Sequence, residues 1–341
     1  MKNRIDLTKF NIRTDLVIDH KIEKDYITSN QINDSIKVTT IEVNDKLEKQ
    51  LQKKQGTYIT IEFIDITNHE DQKEVEIVLT KELNQLLENL NIKESDEVLI
   101  IGLGNRFSTA DSLGPKCIDK TLVTRHLFEL NTNVKKGIRC TAAISPGVMA
   151  NTGIETFDII TSIVNKIKPK LLIVIDSLAS SSIDRINKTI QITNTGIHPG
   201  SGVGNHRKEL SQDTLGIPVL AIGVPTVVES SIIVNDTIDY LFKHLSYLKN
   251  NYDKSKLIIT PNNQYRNKIK ELTLSEEEKK EVSGILGTLK EEEKKSLINE
   301  VLNSIHYDMI VTPKEIDFLI ENLSETIANS INKSLHLALN D

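Results

Sequence analysis

The sequence predicts an α/β protein: a mainly parallel sheet with helices on both faces, small β segments before it and a helical tail behind. Three apolar runs without alternation, 98–101, 171–175 and 217–224, are rich in Ile, Leu and Val, as strands buried on both faces are. Stretches with helical spacing separate them, and a repeated strand-then-helix order builds a parallel sheet covered on both sides.

Taken in order, residues 1–30 are polar with scattered apolar positions and read as an arm. Runs 37–43 and 57–64 are β-branched with partial alternation, and 44–54 between them is helical in pattern. Val75, Ile77, Val78, Leu83, Leu86, Leu87 and Leu90 then recur at helical spacing over 73–90. The strand at 98–101 runs into the turn Gly102-Leu103-Gly104-Asn105 and a polar loop bearing Asp111. A helix is predicted over 116–130, a strand over 137–142, a turn at Ser145-Pro146-Gly147, and a helix over 151–168 that Pro169 stops. The strand at 171–175 delivers Asp176, a shorter one follows at 189–192, and 195–205 is a glycine-rich loop. After the strand at 217–224 comes a long helix over 229–248. From 272 the composition changes. Glu276-Glu277-Glu278-Lys279-Lys280 nearly repeats at Glu291-Glu292-Glu293-Lys294-Lys295, which reads as two helix starts with acidic first turns. Thr312-Pro313 opens a last helix over 314–337.

The totals exclude several classes. Lys and Arg number 42 against 48 Asp and Glu, a net charge of −6 that argues against direct nucleic-acid binding. No Trp and 4% aromatic residues leave no platform for stacking bases. No apolar run approaches the roughly 20 residues of a membrane span, and residues 1–14 are charged, with no secretory h-region. Cys117 and Cys140 are the only cysteines, which fits a reducing cytoplasm.

Gly102-Leu103-Gly104 after a strand has the start of a dinucleotide fingerprint, but Phe107 stands where its third glycine belongs, so no nucleotide is expected. Asp111 and Asp176 are the candidate catalytic pair. Each follows an apolar strand, where the crevice of an open α/β sheet gathers working groups. Two neighbouring carboxylates share a proton, so one activates water while the other protonates a leaving amine. The bland alternative for each is a turn or cap aspartate. The loop at 195–205 holds four glycines in eleven residues, and its amides around His198, Gly200, Ser201 and Gly202 are candidates for orienting substrate or holding an oxyanion. His198 is alternatively a ligand to a divalent metal beside the two carboxylates, or a surface histidine. Ser201 has no His and Asp in a recognisable triad order.

Several stretches resemble the germination proteases of spore-forming bacteria. They are Arg13-Thr14-Asp15-Leu16, Gly102 to Asn105 leading to Asp111-Ser112-Leu113-Gly114-Pro115, Ser145 to Met149, Thr152 to Thr156 and the glycine loop at 195–205. Gly216-Ile217-Pro218, Ala221 to Val228 and Val311 to Glu315 extend the match along most of the chain. The resemblance implies a fold similar to the hydrogenase maturation proteases. It also implies a cytoplasmic endopeptidase of the spore core, working without a cofactor on small acid-soluble spore proteins. It places the aspartic-type catalytic acids on Asp111 and Asp176. It further implies a homotetrameric zymogen that clips itself between Asp15 and Leu16, leaving 16–341 as one α/β domain behind a pro-segment of residues 1–15. Two features depart from the family pattern: Ala110 stands where Pro is common, and Ser180 and Ser181 where Arg tends to follow the second acid.

Overall fold

The computed structural model describes residues 14–20, 22–130, 132–198, 208–251, 272–305, 307 and 309–340. They fall into two compact units. Arg13–Ser180, Asp184–Val227 and Thr312–Asp341 make up the larger, and Ser181–Ile183 with Val228–Val311 belong to the smaller.

The larger unit is built on one sheet. Its strands are β1 (Ile27–Gln31), β2 (Ile36–Val43), β3 (Gly56–Phe63), β4 (Val98–Gly102), β5 (Thr141–Ile144), β6 (Leu171–Ser180), β7 (Thr189–Thr193) and β8 (Val219–Glu229). They lie in the order β1-β2-β3-β7-β8-β6-β4-β5. The α/β class holds, with helices on both faces, and β4 pairs parallel with both β5 and β6. There Val98 pairs with both Leu171 and Thr141. The runs at 37–43 and 57–64 do not stand apart: they extend this sheet antiparallel, β2 pairing with β3 and β3 with β7. Antiparallel neighbours need only short connections, which is what the turns at 32–35 and around 44–55 supply.

Helices α1 (Asp45–Leu51), α2 (His69–Asn89), α3 (Leu113–Lys120), α4 (Arg125–Glu129), α5 (Met149–Thr152), α6 (Thr156–Ile167), α7 (Gln212–Leu215), α8 (Ser230–Asn251), α9 (Glu276–Ser283), α10 (Ile285–Thr288), α11 (Glu291–Ser304) and α12 (Ile316–Leu335) complete the described chain. Starts of α1 and α2 are set by Asn44 and Asn68, whose side chains accept from the first free backbone N–H groups. The helix expected over 151–168 is broken at Gly153, where φ is +71°, a value that ends α5 and lets α6 start afresh.

Both faces of the sheet are packed. On one, Ile100, Ile173 and Ile222 meet Leu79 of α2, Leu113 and Cys117 of α3, and Leu323 and Ile327 of α12. On the other, Leu99, Ile101, Leu172 and Val174 meet Ile160 and Val164 of α6. Fully burying one such side chain contributes roughly 1.5–3 kcal/mol. Farther out, Val17 joins Ile41, Val43 and Tyr58 under Leu47 and Leu51 of α1. The arm expected over residues 1–30 is therefore core from Leu16 and Val17, both 0% exposed, and strand from Ile27. Leu16 and Val17 fill a gap that the pattern of a short, mixed segment does not announce.

In the smaller unit, α9 begins at Ser275 with a reciprocal cap: Glu278 N–H donates to the Ser275 hydroxyl, and Ser275 N–H to the Glu278 carboxylate. The acidic helix starts expected at 276 and 291 are present. No described helix is long and apolar enough to cross a membrane.

Cys117 is wholly buried and burial pushes its thiol far above the usual range, while Cys140 is half-buried. Iodoacetamide at pH 8 is expected to modify Cys140 in the folded chain and Cys117 only after unfolding, because the thiolate is the nucleophile. Peptide mapping checks this, and equal labelling of the two would contradict the packing of α3.

Candidate active site

Asp111 closes a short 3-10 turn, Thr109–Asp111, in the loop that leaves β4. The loop begins as a continuation of the sheet: Leu103 N–H donates to the Ile175 carbonyl at 2.8 Å. Gly104 follows at φ +110°, and a Cβ there would lie 2.1 Å from the Asp111 carbonyl oxygen and 2.9 Å from Oδ1. Only a residue without a side chain lets the loop fold back so tightly. Asn105 N–H then donates to both the carbonyl and Oδ2 of Asp111, each at 2.9 Å. This second bond fixes the carboxylate as well as the backbone.

Asp176 is one residue beyond Ile175 on β6 and is 6% exposed. One of its oxygens, Oδ1, accepts from Ser177 N–H at 2.9 Å. In the sheet β6 lies between β4 and β8. The Asp111 loop starts at β4, and its Ala110 carbonyl accepts from Thr226 Oγ1 on β8 at 2.7 Å. The loop therefore reaches past β6 to β8, and the Thr109–Asp111 turn contacts β6. Asp176 thus lies on the strand that the Asp111 turn contacts. Ala110, where the resembled family commonly has Pro, contributes its carbonyl to this arrangement and packs its methyl against the core.

The Asp15–Leu16 peptide is held farther along β6. Asp15 N–H donates to the Ala179 carbonyl at 3.0 Å, and Ala179 N–H donates to Asp15 Oδ2 at 2.9 Å. Asp15's carbonyl oxygen receives Lys53 Nζ at 3.2 Å and Gln191 Nε2 at 3.4 Å, while Gln191 Oε1 accepts from Val17 N–H at 2.8 Å. Asp19, whose side chain is 0% exposed, closes the segment. It accepts from the Thr14 hydroxyl at 2.5 Å, from Ser180 Oγ at 3.2 Å, and from Arg185. Ser180, one of the two departures from the family pattern, is thus a partner of the arm. Burial pulls the Lys53 ammonium below the usual lysine range, and the carboxylates of Asp15 and Asp19 oppose that shift.

A cavity of about 190 Å³ opens beside this segment, with Asp15, Lys53, Leu178, Gln191 and His198 among its walls. Leu178 is two residues past Asp176 on β6, and alternation along a strand puts the two on one sheet face. His198 Nε2 lies 3.7 Å from Glu209 Oε2 at this cavity. Among the described residues no group of three or more His, Cys, Asp or Glu side chains is placed to hold a metal ion. Gly200, Ser201 and Gly202 lie outside the described residues.

Sequence reasoning missed Lys53, Gln191, Asp19 and Arg185. The one signal available was Gln191 itself, a polar residue between Ile190 and Ile192 on a strand whose residues are all buried. Such a residue needs a hydrogen-bonding partner.

The family described as germination protease matches residues 12–341 of this chain. Germination proteases of Priestia megaterium, Geobacillus sp. and Bacillus subtilis are 42%, 44% and 42% identical to it, each over 98% of this chain and 96% of the relative. Among solved structures, the [NiFe] hydrogenase maturation protease HycI from Thermococcus kodakarensis is 18% identical, covers 41% of this chain and 80% of its own, and superposes with a TM-score of 0.25.

Proposed function

The chain belongs to the germination protease family and is a peptidase, and on that premise we propose that it is a self-clipping endopeptidase whose working groups are Asp111 and Asp176. One of the two carboxylates takes a proton from water as that water adds to a peptide carbonyl; the other protonates the departing nitrogen. The observation that supports this reading is the contact of the Thr109–Asp111 turn with β6, the strand that bears Asp176.

Self-clipping falls between Asp15 and Leu16 and removes residues 1–15. Supporting this, the peptide is anchored on β6, the strand of Asp176, by a pair of hydrogen bonds to Ala179. In trans the substrates are small acid-soluble spore proteins cut after acidic residues, as Asp15 is in the arm. The enzyme works in the spore core as a homotetramer. Supporting self-association, Leu241, Leu245 and Leu248 are exposed along α8.

Intact-mass spectrometry of the full chain during incubation tests the clip site. The expected result is loss of residues 1–15 and a new N-terminus at Leu16. A chain that stays full length, or is cut elsewhere first, would count against it. Added small acid-soluble protein should fall to peptides ending in Asp or Glu.

A further inference from the structure

We propose that Lys53 and Gln191 are catalytic residues of self-clipping, holding the Asp15 carbonyl oxygen as it takes up negative charge. The inference rests on the reading that Asp15–Leu16 is the bond cut.

Two donors converge on that one oxygen, Lys53 Nζ at 3.2 Å and Gln191 Nε2 at 3.4 Å. A backbone carbonyl in a folded chain is satisfied by one neutral donor. Directing a largely buried ammonium at it sacrifices solvation of the charge that the Asp15 and Asp19 carboxylates return only in part. The cost is offset when the oxygen becomes an anion, because preorganised donors act most strongly where charge develops. Both distances sit at the long end of hydrogen bonding, which leaves room to tighten as the carbonyl carbon becomes tetrahedral.

Gln191 also sets the geometry on the other side of the bond. Its Oε1 accepts from Val17 N–H at 2.8 Å, so its Nε2 is the end turned toward Asp15. The Leu16 peptide is spanned from Asp15 to Val17 by one side chain. Lys53 likewise reaches the Thr14 carbonyl at 3.2 Å, fixing the ammonium between two consecutive oxygens. The arm is therefore held for reaction, and not simply by its buried Leu16 and Val17.

In the step itself, water oxygen adds to the Asp15 carbonyl carbon and gives a proton to the ionised member of the aspartate pair. The carbonyl electrons move to the oxygen under Lys53 and Gln191. Collapse restores the carbonyl and breaks the C–N bond, and a proton passes to the Leu16 nitrogen. The products are an Asp15 carboxylate and a Leu16 amine, with no other reactant.

The test is an intact-mass time course on the full chain and on Lys53→Met, Lys53→Arg and Gln191→Leu, each checked for thermal unfolding. Removing one oxyanion donor costs roughly 100- to 1,000-fold. Lys53→Met and Gln191→Leu should lose residues 1–15 that much more slowly, and Lys53→Arg, which keeps a cation, should recover most of the rate. Met and Leu variants that clip as fast as the parent, or faster because the arm is loosened, would overturn the proposal while leaving the clip site intact. A slow Lys53→Met chain with Lys53→Arg equally slow and an unfolding temperature well below the parent's would also overturn it, as a packing effect. A parent that never cuts at Asp15–Leu16 removes the reading on which the inference rests, and the inference with it.

Discussion

Asp176→Asn is expected to lower hydrolysis of a protein substrate by roughly 1,000- to 10,000-fold, about 4 to 5.5 kcal/mol of barrier. Asp111→Asn should do the same. Neither change alters shape: an Asn amide oxygen still accepts from Ser177 N–H at position 176, and from Asn105 N–H at position 111. What is lost is a group able to take and return a proton. Unfolding temperatures should stay within a few degrees of the parent, and that combination separates chemistry from packing. Because the two act as one unit, the double variant should be scarcely worse than either single one. Additive losses would mean that the two carboxylates work independently.

Gly104→Ala is the second large effect, and it touches neither carboxylate. Its Cβ would stand 2.1 Å from the Asp111 carbonyl oxygen at φ +110°, so the loop must move or the backbone must strain. Strain of this sort costs about 1–3 kcal/mol. A displacement near 1 Å of a reacting group costs on the order of 100-fold in rate. Gly153→Ala is the matched control, since its φ is +71° but nothing lies within 4 Å of the added carbon. Kinetics and thermal unfolding of both variants should show a large activity loss for Gly104→Ala and near-parent activity for Gly153→Ala. Equal effects would mean that the turn is not what positions Asp111.

Much of this is written in local sequence. The apolar runs at 98–101 and 171–175 are legible because parallel strands buried on both faces carry no polar alternation. Asp111 and Asp176 stand out because each follows such a run. Other features are not local. β1, β2 and β3 join the main sheet through β7, a pairing between residues over 100 positions apart such as Ile61 and Ile190, and no period in either strand specifies it. The strand after 175 runs on past Asp176 to Ser180, and its Leu178 packs against Gly223 of the neighbouring β8, a contact that no local period announces. Lys53 and Gln191 are invisible for the same reason: they lie 38 and 176 residues from the oxygen they hold. Lys53 sits in a short Lys-Lys step after a helix, a pattern usually met on solvated turns. Its role exists only because Leu16 and Val17 are buried and bring their neighbours with them.

The most direct measurement is the intact mass of the parent, of Asp111→Asn and of Asp176→Asn, incubated separately at equal concentration. The parent should shorten by residues 1–15, while both variants stay full length and remain folded. Either variant shortening at Asp15–Leu16 at the parent's rate would contradict hydrolysis by the paired aspartates.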